Sequence, residues 1–456
     1  MQTQIFMVHK RHLGLRAPTV LAVGFALTIL VGALVLMLPV SAADGQITPF
    51  LDALFTAASA SCVTGLVTVS TAVHWSVFGK CVILLLIQIG GLGFMSVAAI
   101  ASFVLRRTIT LHERMVMSAG LNLSDGGGIV RLTRRVLFGT FIIEGTGAVL
   151  LSCRFVPHYG FPKGITMGVF HAVSAFCNAG FDLMGTPDDP FQSLIGWAED
   201  PLVNITVMAL IVLGGLGFFV WSDVWDKHSF RRLSLHTKIV LTATAGLLLF
   251  GFGWTLLFEW SNPATLGAFD TPHKLLAAAF ESVTLRTAGF NTIDLGALTG
   301  PSQAVSCLLM FIGGSPGSTA GGIKTVTAAV LVLTAISAFC GRTTVSAFGR
   351  TIAPRSIMNA VTLLMAGGGL CLVGACAIAG IEDAPFHQCL FEAVSAFGTV
   401  GVSMGLTPTL AAASRVILIV MMYMGRVGVL TLGVAVFMRR REPPRLKYPD
   451  ADVFIG

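Results

Sequence analysis

A short polar segment ending in glycine occurs four times in this chain, at Gly65, Gly180, Gly289 and Gly401, at intervals of 115, 109 and 112 residues. The segments read Ala60-Ser61-Cys62-Val63-Thr64-Gly65-Leu66, Ala175-Phe176-Cys177-Asn178-Ala179-Gly180-Phe181, Leu285-Arg286-Thr287-Ala288-Gly289-Phe290 and Ala396-Phe397-Gly398-Thr399-Val400-Gly401-Val402. Ala-Val-Ser-Ala-Phe stands at both 172–176 and 393–397. A second glycine marker follows each segment after 25, 34, 24 and 24 residues, beginning at Gly90, Gly214, Gly313 and Gly425. Self-similarity at one period signals a repeated structural unit.

The residues between these segments are apolar in runs long enough to cross the roughly 30 Å hydrocarbon layer of a bilayer, from about Pro18 to about Met438. Only 11% of the chain is charged and its mean hydropathy is +0.83, where soluble domains carry about 25% charged residues. It reads as an integral membrane protein without a separate soluble domain. Residues 1–16 hold Lys10, Arg11 and Arg16 but neither a short apolar core nor a small-residue cleavage site, so no removed signal peptide is expected. The nine cysteines form no CxxC pair and no His/Cys cluster, and read as small core residues.

Each unit is predicted to be an outer helix, a short half-helix that re-enters, a glycine strand and a second spanning helix. The fold expected is all-α and membrane-integral, with four tandem helix–pore-loop–helix repeats, eight spanning helices and four half-helices around one pseudo-fourfold pore. The repeats divide as 1–105, 106–226, 227–341 and 342–440, with a cytoplasmic tail at 441–456. Outer helices are expected at about 18–41, 134–156, 236–258 and 357–381. Second helices are expected at about 77–105, 201–226, 302–340 and 414–438.

Eight spans put both termini on one side. The segments then assigned inside hold 21 of the 29 lysines and arginines, including Lys10, Arg106, Arg107, Arg114, Arg131, Arg231, Arg232, Arg342 and Arg439 to Arg441. That bias makes the side cytoplasmic. The outer segments hold Asp44, Asp182, Asp188, Asp189, Glu199, Asp200, Glu259, Asp270, Asp294, Glu382 and Asp383, an acidic mouth that would concentrate cations. Topology accounts for the net charge of +7 better than nucleic-acid binding does.

Non-helical backbone at membrane depth is tolerated only where protein buries it or where it lines water, because unpaired N–H and C=O groups in lipid cost several kcal/mol. Four such strands at equivalent places would meet around a shared path. Inward carbonyls can replace the hydration shell of a cation, and glycine permits the positive φ that aims them. The expected filter is Gly65, Gly180, Gly289 and Gly401, with Val63, Thr64, Asn178, Ala179, Thr287, Ala288, Thr399 and Val400. The polar side chains Thr64, Asn178, Thr287 and Thr399 would either buttress the strands or cap the half-helices.

On these segments the chain resembles the Trk/Ktr/HKT superfamily of potassium transporters, and within it the Ktr-type membrane subunit. Thr287-Ala288-Gly289-Phe290-Asn291, Thr399-Val400-Gly401 and the run from Gly313 to Thr325 carry the likeness, which extends over essentially the whole length. Trk-type subunits carry two further N-terminal helices, for which a first span near Pro18 leaves no room. Glycine at all four filter positions implies potassium selectivity, since a serine at the first is linked to sodium permeation in some plant members. The resemblance also implies sodium-dependent uptake, a homodimer in the bacterial inner membrane, and a cytosolic regulatory ring (the Ktr A-type subunit) that binds adenine nucleotide. No such ring domain is present in this chain; its basic cytoplasmic segments and tail would form the docking face.

The run from about Ser302 to Gly341 is twice the length needed to cross, and its middle cannot stay helical. Gly313, Gly314, Ser315, Pro316, Gly317, Ser318, Thr319, Ala320, Gly321 and Gly322 are predicted to form a polar loop between two helical pieces, beneath the filter. The resemblance implies that this loop, 313–322, is the gate. The stretch has the flavour of a Walker A motif, but Ile323 separates Gly322 from Lys324 and no strand precedes it, so nucleotide is not expected there. Arg426 lies within the last spanning helix, where a central charge costs roughly 2.5 to 3.5 kcal/mol, so it needs a partner or a purpose. It is expected either to face the cavity and form, with the loop, the barrier to permeation, or to neutralise a helix C-terminus. Arg286 is expected to pair with Glu281 or Glu392. Lys324 would close the loop or snorkel.

An enzyme would need a nucleophile, base or metal set at membrane depth. His74, His158, His171 and His273 show no such spacing, so no enzyme is expected. Transporters of organic solutes also use broken helices, but typically with two repeats, often inverted.

Overall fold

The computed structural model describes residues 17–93, 129–429 and 431–433. Lys10, Arg11, Arg16, Arg106, Arg107, Arg114, Arg439, Arg440, Arg441, Arg445 and Lys447 lie outside these residues. So do the tail 441–456 and the expected helix ends 94–105 and 434–438.

The first long helices form where the apolar runs predict them: α1 (Ala17–Leu36), α4 (Ile129–Tyr159), α8 (Leu235–Glu259) and α12 (Pro354–Ala379). Their outer faces stay apolar yet uncovered, with Phe138, Ile142, Leu249, Leu257 and Met365 all exposed. A surface of that kind suits lipid and not water. Each long helix is followed by a helix too short to span: α2 (Phe50–Cys62), α5 (Phe161–Phe176), α9 (Thr271–Thr284) and α13 (Phe386–Gly398). These short helices are the buried centre of the molecule. Ala57, Ala60, Ala172, Ala175, Ala278, Ala393 and Ala396 are fully buried and let neighbouring helices approach closely.

Local chemistry starts several elements. Asp270 accepts the N–H of His273 at the start of α9, and Pro272 stands in its first turn. Asp200 does the same for α6 (Pro201–Leu216), taking the N–H groups of Leu202 and Val203. Ser76 caps α3 (Val77–Leu92) by accepting from Gly79.

In the first, second and fourth units the second helix breaks at its glycine marker where the sequence predicts a continuous span, and in the third the predicted break forms. Helix α3 ends at Gly93 (φ 82°), and α14 (Ala412–Val427) ends at Gly428 (φ 90°). At Gly217 (φ 95°) the chain bends by 91° from α6 into α7 (Phe218–Lys227). A residue with positive φ cannot continue a right-handed helix, so the second glycine marker is a break in each case. In the third unit the break is the long loop, between α10 (Gly300–Phe311) and α11 (Thr325–Phe339). Among the described residues four helices are long and apolar enough to cross a membrane, or five if α6 and α7 form one bent span, against the eight expected. The described residues also include one hairpin, β1 (Ser346–Ala347) and β2 (Arg350–Thr351), with Ser346 opposite Thr351.

Candidate functional site

Each short helix delivers its glycine in the same backbone sequence of conformations. Two residues before the glycine, Val63, Asn178, Thr287 and Thr399 are left-handed, at φ 58°, 59°, 67° and 51°. The glycines follow at 99°, 68°, 85° and 92°. A left-handed non-glycine residue costs roughly 1–2 kcal/mol, so something must hold all four in place.

Hydroxyls in the last turn of each short helix do so. Ser59 accepts the N–H of Gly65 at 3.0 Å, and Ser395 accepts that of Gly401 at 3.1 Å. Ser395 also donates to the Val402 carbonyl and Ser174 to that of Phe181, each at 2.7 Å. Thr284 donates to the Phe290 carbonyl. The backbone carbonyls of the same four residues accept from Thr64, Ala179, Ala288 and Val400 at 2.7–3.0 Å. Sequence reasoning missed these four buttresses, although Ser174 and Ser395 are the serines of the duplicated Ala-Val-Ser-Ala-Phe. It assigned the work to Thr64, Asn178, Thr287 and Thr399. Among the described residues the three hydroxyls of that set are buried without a hydrogen-bond partner and neither buttress nor cap, and the Asn178 side chain bonds only through Oδ1, to the loop described below.

The four glycines meet one another in chain order. A Cβ added to Gly65 would stand 2.6 Å from the Ala179 carbonyl oxygen; on Gly180, 2.8 Å from that of Ala288; on Gly289, 2.7 Å from that of Val400. On Gly401 it would meet the carbonyl oxygen of Thr64, which returns the sequence to its start. One carbonyl from each unit therefore lies against the glycine of another, in a closed ring of fully buried backbone.

The loop between α10 and α11 runs directly against the left-handed residues. Its ends are tied by Gly313 N–H to Ile323 O at 2.8 Å and Thr325 N–H to Gly314 O at 3.0 Å. Thr319 Oγ1 donates to Asn178 Oδ1 at 2.9 Å, and a Cβ on Gly321 would meet the Thr399 side chain. Ser315 and Thr319 donate their N–H groups to Gly215 and Gly214, while Gly317 O accepts from Phe218 N–H at 2.9 Å. The bend after α6 thus frees Phe218 N–H for the loop.

Arg426 of α14 donates to the Thr319 carbonyl of the loop and to that of Gly90 near the C-terminal end of α3. It thus lies against the loop and at the C-terminal end of α3, where a cation is favoured. Lys324 Nζ donates to the carbonyls of Ala320 at 2.8 Å and Gly321 at 3.3 Å. The expected pairing of Arg286 with a glutamate does not form. Arg286 donates instead to Thr325 Oγ1 at 2.9 Å, at the base of the loop. Glu392 already accepts from Ser403, Met404 and Thr407, and both carboxylate oxygens of Glu281 are without a hydrogen-bond partner. Arg286 follows α9, and its reach is taken by the loop.

Outside the ring, burial pushes the Asp182 carboxyl up to about 6, against the pull of the Met184 N–H. Among the described residues no group of three or more His, Cys, Asp or Glu side chains is placed to hold a metal ion. The chemistry available at the ring is that of carbonyl oxygens.

Residues 10–442 match the TrkH family model, described as a cation transport protein. The chain is 42% identical over 439 residues to the Ktr system potassium uptake protein B of Bacillus subtilis, covering 96% of both chains. It is 40% identical to the potassium/sodium uptake protein NtpJ of Enterococcus hirae, covering 96% of both. It is 37% identical to the Ktr system potassium uptake protein B of Vibrio alginolyticus, over 96% of this chain and 95% of that one. Its fold is similar to the crystal structure of the potassium transporter TrkH from Vibrio parahaemolyticus, with a TM-score of 0.70 at 17% identity, covering 94% of this chain and 86% of the other. Relatives that match the chain from end to end are cation transporters and not enzymes, and the chain belongs to the TrkH family of cation transport proteins.

Proposed function

We propose that this chain is the ion-translocating membrane subunit of a Ktr-type potassium uptake system, and that its four glycine strands form a single cation filter. The observation that carries this reading is the closed ring in which the carbonyls of Thr64, Ala179, Ala288 and Val400 each lie against another unit's glycine. A dehydrated cation needs several oxygens at once, and four units that each give one strand supply them with no charged ligand. Helix α9, like the other short helices, ends at the ring. Its C-terminal end carries partial negative charge, which favours a cation there.

Each unit on this reading is a helix–pore-loop–helix repeat, divided at 1–105, 106–226, 227–341 and 342–440. The filter is the set from Val63 to Gly65, Asn178 to Gly180, Thr287 to Gly289 and Thr399 to Gly401. The loop from Gly314 to Gly322, with Lys324 and Arg426, is the gate. Its support is position: the loop touches Asn178 and Thr399 from one side, and Arg426 holds its Thr319 carbonyl. Potassium is the substrate, on the strength of the relatives' names. Sodium dependence, a homodimer, a cytosolic ring carrying adenine nucleotide, and an inner-membrane location with both termini cytoplasmic follow from kinship with Ktr systems.

The test is rubidium or potassium uptake by a transport-deficient bacterium that expresses this chain together with a Ktr ring subunit, with and without sodium. Saturable uptake whose preference for potassium over sodium falls in Gly289→Ser supports a shared filter. An unchanged preference in that variant contradicts it. An Arg426→Ala variant that transports at the wild-type rate and affinity contradicts the barrier.

A further inference from the structure

Residues nine positions before the four glycines are Thr56, His171, Phe280 and Glu392, and residues three positions after them are Thr68, Leu183, Thr292 and Met404. In the second and fourth units the first residue holds the second. His171 Nε2 faces the Leu183 N–H at 3.3 Å, and Glu392 accepts the Met404 N–H at 3.2 Å. The imidazole tautomer follows from its partners, because Nδ1 lies 2.8 Å from the Met167 carbonyl and must carry the proton there. Nε2 is then an acceptor. Glu392 reaches further along the exit, accepting from the hydroxyls of Ser403 and Thr407. Both side chains are fully buried.

The first and third units anchor this point differently. Thr68 donates to Asp52 at 2.9 Å. In the third unit, position nine before the glycine is a phenylalanine and Thr292 Oγ1 has no hydrogen-bond partner; the second unit's loop holds the strand exit instead, through Ser193 to the Asn291 N–H and Leu194 N–H to Asn291 O. In the cyclic order of the ring, the second and fourth units stand opposite each other.

We propose that His171 and Glu392 are positioning residues for ion selection, each fixing the outer end of a filter strand from the short helix behind it. The proposal rests on the filter reading above. A strand held at both ends keeps its carbonyls at one spacing, and selectivity depends on that spacing or on the field the carbonyls present. Without the acceptor the half-buried N–H of Leu183 loses its side-chain partner, and the turn is free to shift toward another.

The aromatic surroundings of His171 give a test that separates bracing from packing. Its ring lies 5.6 Å from that of Phe155 and 6.3 Å from that of Phe290. His171→Phe keeps a ring in this pocket and removes the acceptor, whereas His171→Gln loses the ring and keeps an acceptor oxygen. Competitive rubidium and sodium uptake, with the transporter quantified in the membrane, is expected to show potassium preference down about threefold to tenfold in His171→Phe, the effect of one hydrogen bond, and near wild type in His171→Gln. Glu392→Met and Glu392→Gln are expected to show the same order. The reverse order, or a fall in maximal rate alone with preference and KM kept, overturns the proposal. Gly289→Ser is measured alongside: if it alone shifts the preference, the bracing is wrong and the filter stands, and if it too shifts nothing, the filter reading itself falls.

Discussion

At the scale of single residues, the site is held by hydroxyls whose roles depend on one turn of helix. Ser395 makes two hydrogen bonds, to Gly401 N–H and to Val402 O, while Thr64 Oγ1 makes none. Ser395→Ala is therefore expected to cost about 1 kcal/mol per lost bond, and to lower potassium preference in an uptake assay. Thr64→Val, nearly the same shape, is expected to leave the preference within twofold; a larger fall would mean that the hydroxyl itself contacts the ion. Asp182 offers a pH signature. Burial raises its carboxyl to about 6, so it is charged at neutral pH and neutralises as external pH drops through that value. Apparent potassium affinity is expected to weaken between pH 7 and pH 5, and Asp182→Asn to remove that part of the dependence. From sequence, the glycines were plain because no other residue takes positive φ so readily. The left-handed Val63, Asn178, Thr287 and Thr399 were not, because those residue types more often adopt ordinary conformations and are forced here by Ser59, Ser174, Thr284 and Ser395.

At the scale of elements, the long outer helices were legible to within about five residues at each end, since apolar composition alone decides them. Among the second helices only the third was, where Pro316 and its glycines announce the loop. The other glycine markers fit either a helix that packs closely or a helix that stops, and only the partner across the gap decides. For Gly217 the partner is the loop: Phe218 N–H goes to Gly317 O, and a Cβ on Gly217 would stand 2.9 Å from the Pro316 carbonyl oxygen. Gly217→Ala combines that contact with a φ of 95°. It is expected to destabilise the protein by about 1–3 kcal/mol, read as an earlier thermal transition in detergent, and to loosen the loop. An unshifted transition would mean that the bend is not required. The expected ion pair of Arg286 fails for a related reason: the loop brings Thr325 Oγ1 to the guanidinium, while Glu392 is held by Ser403, Met404 and Thr407.

At the scale of the whole molecule, the period of the glycine segments announced four equivalent units, and their strands do lie together in a ring. What the period could not announce is the asymmetry within it. The third unit alone among the described residues gives a long loop, the fourth gives Arg426 to hold it, and in the second and fourth the residue nine before the glycine accepts the N–H three residues after it. The central claim is that one cation is shared by four strands. Anomalous diffraction from crystals grown with rubidium or thallium tests it most directly. The account predicts a peak on the ring axis within direct coordination distance of the carbonyls of Thr64, Ala179, Ala288 and Val400. A cation bound elsewhere, with none at those four oxygens, would contradict it.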